Sequence, residues 1–215
     1  ESEYDHSGKS IYLSSDGSII AIGAPSAGND NPGQVRVYKY DVTVDGSWNQ
    51  LGADIDGEEG GDDFGASVSL SSDGTIVAIG ARYNDGNGTD AGHVRIYNYN
   101  GNSWTQLGQD IDGEAAGDGS GYRVSSSSDG NIVAIGAPLN NAIQGQDAGH
   151  VRIYQWNGNN WIQLGNDIDG EAYGDHSGNS VSMNDDGTIV AIGAYSNDGN
   201  GTEAGHVRIY NWSGS

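Results

Sequence analysis

Apolar and polar positions along this chain alternate in short runs, and the runs return in the same order four times. In the second copy, Ser67-Val-Ser-Leu-Ser71 has the two-residue alternation of a strand buried on one face. Asp73-Gly74 follows, a dipeptide suited to a two-residue hairpin because a type I′ turn needs positive φ at both central positions. Thr75-Ile-Val-Ala-Ile-Gly-Ala81 is apolar on both faces, as a strand packed between two sheets must be. A polar loop over Tyr83–Asp90 leads to Gly92–Tyr99, where Val94 and Ile96 share one face while His93, Arg95 and Tyr97 share the other. Asn100-Gly-Asn102 turns the chain, and Ser103-Trp-Thr-Gln-Leu107 supplies a fourth strand. No helical apolar period is sustained for three turns, so essentially no helix is expected.

The repeat length sets the architecture. Ala21-Ile-Gly-Ala24 recurs at Ala78–Ala81, Ala134–Ala137 and Ala191–Ala194, intervals of 57, 56 and 57 residues. A long fixed period marks supersecondary blocks that bury their faces against their neighbours. Four antiparallel strands per block describe a β-propeller blade, whereas a solenoid would repeat over a shorter span with fewer strands. The expected fold is therefore all-β, a propeller of four-stranded antiparallel blades over 1–57, 58–113, 114–170 and 171–215. Trp48, Trp104 and Trp161 hold matching positions and are expected to fill the gaps between adjacent blades. After Tyr210 no Trp-x-Gln-Leu-Gly strand follows, so about four blades are expected with the last lacking its fourth strand. A four-bladed closed ring is the favoured expectation. A segment of a longer array and a strand donated by another chain are the alternatives. The start at Glu1, without Met or a signal peptide, reads as a processed or excised segment.

Asp63-Phe64-Gly65, Val68, Asp73-Gly74 and Gly80-Ala81, in that order, resemble the FG-GAP repeat of integrin α-chain propellers. Gly23-Ala-Pro25, Gly136-Ala-Pro138 and the strand Gly33-Gln-Val-Arg-Val-Tyr38 extend the resemblance, which covers the chain four times over. It implies a propeller used for adhesion, often with bound calcium. Two departures stand out. His6-Ser-Gly8, Gly119-Ser-Gly121 and His176-Ser-Gly178 replace the Phe-Gly motif elsewhere, and the family's Asp-x-Asp-x-Asp-Gly calcium loop is shortened to Ser-Ser-Asp-Gly.

Charge narrows the functional classes. Thirty acidic residues face eight basic ones, a formal charge of −22 that repels phosphate backbones and anionic lipid. Nucleic-acid binding and membrane insertion are not expected, and the chain contains no apolar run of membrane-spanning length. With no cysteine, disulfides, thiolate zinc and thiol catalysis are excluded together.

Two acidic motifs could wrap a calcium ion, which takes six to eight oxygen ligands. The first is Asp54, Asp56 and Glu58, repeated as Asp110, Asp112, Glu114 and as Asp167, Asp169, Glu171, with Asp62, Asp63, Asp118 and Asp175 nearby. The alternative is an ion pair with the arginine that recurs once per copy, at Arg36, Arg95, Arg152 and Arg208. The second is Asp85, Asn87, Thr89 and Asp90, matched by Asp198, Asn200, Thr202 and Glu203, with a glycine-rich turn as the alternative. Asn87, Asn200 and Asn211 also head glycosylation sequons. His93, His150 and His206 occupy one strand position and are read as structural, and His6-Ser7 and His176-Ser177 carry no nucleophile elbow.

These readings converge on a non-enzymatic binding or adhesion module, extracellular or at the cell surface. It would present variable loops to a protein or glycan ligand on a cell surface or matrix, with calcium as a possible cofactor. The alternative is a structural repeat protein that self-associates through its incomplete blade. An enzyme would need paired carboxylates converging in one pocket, and here the acids repeat from blade to blade instead.

Overall fold

A computed structural model describes residues 3–28, 30–43 and 46–214. Among the described residues it contains eighteen strands and no helix. Blade 1 comprises β1 (Ser10–Leu13), β2 (Ile19–Ala24), β3 (Gln34–Asp41), β4 (Ser47–Gln50) and β5 (Ile55–Asp56). Blade 2 comprises β6 (Ser67–Leu70), β7 (Ile76–Ala81), β8 (His93–Tyr99), β9 (Trp104–Gln106) and β10 (Ile111–Asp112). Blade 3 repeats this with β11 (Arg123–Ser126), β12 (Ile132–Ala137), β13 (His150–Trp156), β14 (Trp161–Gln163) and β15 (Ile168–Asp169). Blade 4 has β16 (Ser177–Met183), β17 (Ile189–Ala194) and β18 (His206–Asn211), three strands as expected.

Each blade is an antiparallel meander, with Ala78 opposite both Ser69 and Ile96 in blade 2. The fourth strand differs from the sequence expectation because it comes in two pieces. β9 pairs with the Tyr97–Tyr99 end of β8, and β10 pairs with the His93–Val94 end of the same edge. Asp110-Ile-Asp-Gly113 is thus largely the second half of an outer strand, not a free loop. The apolar spacer explains it, since Ile55 and Ile111 are buried in the inter-blade core.

The core lies between blades. Ala21, Val35 and Val37 of blade 1 meet Val68, Val77 and Ile79 of blade 2. The same pairing of faces recurs between blades 2 and 3 and between blades 3 and 4. Two glycines permit the approach: a Cβ on Gly23 would lie 2.1 Å from the carbonyl oxygen of Gly65 in the next blade. Gly80 with Gly121 and Gly136 with Gly178 repeat that contact. Trp104 and Trp161 fill the gaps, donating Nε1–H to the preceding blade's carbonyls at Leu51 (2.8 Å) and Leu107 (2.7 Å). Trp48 departs from the expectation. It packs on Tyr40 and stands exposed, because among the described residues no other blade lies against it.

The favoured four-bladed closed ring does not form. Near the axis, backbone hydrogen bonds run from Ser15 to Ser72, Ser72 to Ser128 and Ser128 to Asp185, and among the described residues none joins Asp185 to Ser15. The outward faces of the first and last blades remain uncovered. Ile11 is 63% exposed where its counterpart Val68 is 5%, and Ile209 is 71% exposed where Ile96 is 1%. With both end faces uncovered, the four blades form an open arc whose first strands line one central cavity.

Candidate functional site

The joint between consecutive blades gathers most of the titratable groups. Arg95 projects from β8 toward blade 1, with its Nε 3.0 Å and its Nη2 2.8 Å from the Asp110 carboxylate. A second ion pair joins Arg95 to Glu58 on the link from blade 1. Gln106 donates to Asp110 at 2.5 Å, and buried His93 lies 3.9 Å from the same carboxylate. In blade 3, Arg152 approaches Glu114 at 3.6 Å and donates to the Asp112 carbonyl at 2.7 Å, while Gln163 donates to Asp167 at 2.6 Å. In blade 1, Arg36 pairs with Asp54 at 3.2 Å, and Gln34, in the histidine position, donates to Asp56 at 2.7 Å. In blade 4, Arg208 pairs with Glu171 at 3.7 Å and donates to the Asp169 carbonyl.

Asp54, Glu58, Asp110, Glu114 and Glu171 therefore sit on the recurring arginines, the arrangement that competed with a cation site at the sequence level, while Asp56 and Asp167 accept from Gln34 and Gln163. Two trios, Glu58–His93–Asp110 and Glu114–His150–Asp167, bring their ligand-capable atoms within 4.8 Å, a spacing that could hold a metal ion. The Arg95 guanidinium occupies both carboxylates of the first trio, and a second cation there would meet its charge. The histidines and acids were visible in the sequence; their convergence depends on the split outer strand, which was not.

Burial dominates the electrostatics. Burial, then the Arg95 charge, pushes the His93 pKa below its ordinary value, against the opposing pull of Asp110 and Glu58. His150 follows the same pattern with Arg152. Burial works against the Asp110 carboxylate, yet the hydrogen bonds from Arg95 and Gln106 hold its pKa low.

The hairpin turns use a third set of acids. Asp73 accepts from the Thr75 amide (2.9 Å), the Thr75 hydroxyl (2.8 Å) and the Ser71 hydroxyl (2.7 Å). Asp16, in the equivalent turn, has its pKa lowered to about 2, chiefly by the Ser18 amide. The shortened Ser-Ser-Asp-Gly segment is thus a self-capped turn. Asp62, Asp118 and Asp175 are buried and accept from Asn84, Asn140 and Asn197 at 2.8, 3.0 and 2.8 Å, tying each entry loop to the loop after the second strand.

The matched loops lie on the rim beside the inter-blade links. Asp85 Oδ1 accepts from the Asp90 amide at 2.8 Å, and Asp198 Oδ1 from the Glu203 amide at 2.6 Å. Asn87 donates to the Gly113 carbonyl at 2.8 Å, and the Thr89 carbonyl accepts from the Gly117 amide at 2.8 Å. Asp90 and Glu203 have φ of 55° and 50°, and their acidic side chains are exposed, as are Asn200 and Thr202. His6 and His176, also at positive φ, open tight turns; His6 bonds Ser26 Oγ at 2.9 Å and His176 stacks on Tyr195 at 5.1 Å. Tyr83, Ile143, Tyr173 and Tyr195 are exposed along this loop-bearing rim, and Gly145 lets the third loop lie against Tyr173.

The FG-GAP repeat family model matches residues 53–97 and 167–210. These two segments are similar to the FG-GAP repeat, and both lie in propeller-like blades. Each matched segment begins at the split outer strand of one blade and ends at the third strand of the next, so the family's unit contains the inter-blade joint itself. No curated protein matches the chain. Among the described residues, no helix is long and apolar enough to cross a membrane.

Proposed function

We propose that this protein is a non-enzymatic, extracellular or cell-surface binding module whose loop-bearing rim engages a protein or glycan ligand. The observation that carries this reading is the row of exposed side chains on the rim, with Ile143 95%, Tyr173 69% and Tyr195 58% exposed. Tyrosine and isolated aliphatic side chains on a rigid scaffold supply contact area at low entropic cost. The loops carrying them differ from blade to blade while the joints beneath repeat, as recognition on a constant scaffold requires. The test is a glycan array and a panel of matrix and cell-surface proteins, probed with the wild-type chain and with a Tyr173→Ala/Tyr195→Ala variant. Both are run in chelator and in calcium, because the Asp85–Asp90 and Asp198–Glu203 loops share this rim. Binding lost in the double variant supports the reading, and two blank screens remove it.

The uncovered end faces favour a second reading, head-to-tail self-association. Ile11 and Leu13 on blade 1 and Val207 and Ile209 on blade 4 occupy the positions that interlock at every internal joint. Sedimentation velocity should show concentration-dependent association that Ile209→Asp abolishes. A strict monomer at high concentration excludes it.

A further inference from the structure

The recurring histidine position meets a different environment in each of the first three blades. In blade 1 it is Gln34, bonded to Asp56. In blade 2 the arginine holds both carboxylates that face the histidine. The Asp110 Oδ2 that stands 3.9 Å from His93 Nδ1 also accepts from Arg95 Nη2 at 2.8 Å, and the same Nη2 pairs with Glu58. In blade 3 the arginine is turned aside. Arg152 Nη2 donates to the Asp112 carbonyl at 2.7 Å, and its Nη1 stays 3.6 Å from Glu114 Oε1. Asp167 Oδ1 accepts from Gln163 at 2.6 Å. The other oxygen of each carboxylate, Glu114 Oε2 and Asp167 Oδ2, faces His150 Nδ1 at 3.8 and 3.9 Å.

Those gaps are too wide for hydrogen bonds. Among the described residues the His150 ring has no hydrogen-bond partner, although its side chain is only 2% exposed. A buried ring nitrogen and two carboxylate oxygens, all within 4.8 Å of one another, therefore converge on one point. Two ligands of a tetrahedral zinc, each about 2.1 Å from the metal, stand about 3.4 Å apart, so a contraction of about half an ångström closes the trio around an ion. Glu114 and Asp167 are 45% and 31% exposed, which gives an entry path and room for water. An imidazole nitrogen with two carboxylates suits zinc, whereas calcium takes oxygen ligands throughout.

We propose that Glu114, His150 and Asp167 form a zinc site, completed by water, that ties the link leaving blade 2 to the outer edge of blade 3. Gln163 is a positioning residue, holding the Asp167 carboxylate with its second oxygen toward the ion. The equivalent trio of blade 2 takes no zinc, because Arg95 already occupies both of its carboxylates. The proposal rests on neither reading of function above.

The probe is zinc chloride, titrated by calorimetry into the full chain after removal of metals with chelator, with millimolar magnesium present to fill diffuse acidic sites. One zinc per chain is expected. Binding should weaken by about tenfold or more in His150→Gln and in Asp167→Asn, and stay unchanged in His93→Gln. Zinc should also raise the melting temperature of the wild type and of His93→Gln, and leave that of His150→Gln where it was. Gln34 shows that glutamine fits this strand position, and Asp167→Asn probes the same site without touching the buried histidine. Absence of saturable zinc binding to the wild type overturns the proposal. So does full affinity in both His150→Gln and Asp167→Asn, or a loss in His93→Gln equal to that in His150→Gln.

Discussion

Gly80 and Gly121 belong to different blades, yet a methyl carbon on Gly80 would lie 2.1 Å from the Gly121 carbonyl oxygen. That distance is far inside van der Waals contact and the obstacle is backbone, so no rotamer change relieves it. Gly80→Ala must push two sheets apart and should cost at least about 3 kcal/mol. Gly193 holds the same place in blade 4, where a Cβ would meet only the Ser180 hydroxyl of its own blade. Gly193→Ala should therefore change stability by less than about 0.5 kcal/mol. Urea unfolding of the two variants checks the contrast. Equal costs would mean that the penalty is local to the strand rather than to the joint.

Trp104 combines burial at the joint between blades 1 and 2 with one directed bond to Leu51. Trp104→Phe keeps most of the apolar surface and leaves that carbonyl without its donor, so a loss of about 1–2 kcal/mol is expected. Trp161→Ala empties the next joint and should cost about 3–5 kcal/mol. Trp48, exposed on blade 1, should tolerate alanine at under about 1 kcal/mol. Denaturation midpoints in that order test whether the tryptophans act between blades or within them.

The strands, their faces and the propeller class were legible because period-two alternation and Asp-Gly turns are local signals; β6 to β8 lie where the pattern places them. The split of the fourth strand was not legible. Asp110 and Asp112 look like loop ligands until Ile111 is seen to be buried in the next joint, a non-local fact. Closure failed for a related reason. Whether Ile209 meets Ile11 depends on the angle accumulated over three joints, and no residue encodes that angle alone. The glycine pairs show the opposite case, since each Gly-Ala motif marks a cross-blade contact that only the structure explains.

His93 and His150 give the chain a pH dependence whose sign is fixed by burial. Both have folded-state pKa values below the ordinary histidine value, so between the two the unfolded chain binds more protons than the folded one. Stability is therefore full above about pH 6.5 and falls as the pH drops through that value toward the folded-state pKa. Blade 1 carries Gln34 in the same position, bonded to Asp56, which indicates the substitution to use. The His93→Gln/His150→Gln variant should show a flatter urea midpoint between pH 7.5 and pH 5 than the wild type. Parallel profiles would assign the acid sensitivity to other groups.

Ionic strength and calcium separate the two roles open to the acidic motifs. A chain of formal charge −22 repels itself, and sodium chloride should raise its melting temperature by screening. Asp54, Glu58 and Asp110 already face guanidinium groups, and Asp85 and Asp198 already accept amides of their own loops. At matched ionic strength, calcium should consequently add little beyond sodium or magnesium. Melting in chelator, followed by titration of each salt, makes the comparison. A saturable rise specific to calcium would instead identify bound ions, because a ligand that binds only the folded state stabilises it in proportion to the logarithm of its concentration. Asp85→Asn and Asp198→Asn would then locate them: loss of that rise in either variant places an ion in its loop, and retention in both places it at the trio of Glu114, His150 and Asp167, where Arg152 reaches only one of the carboxylates.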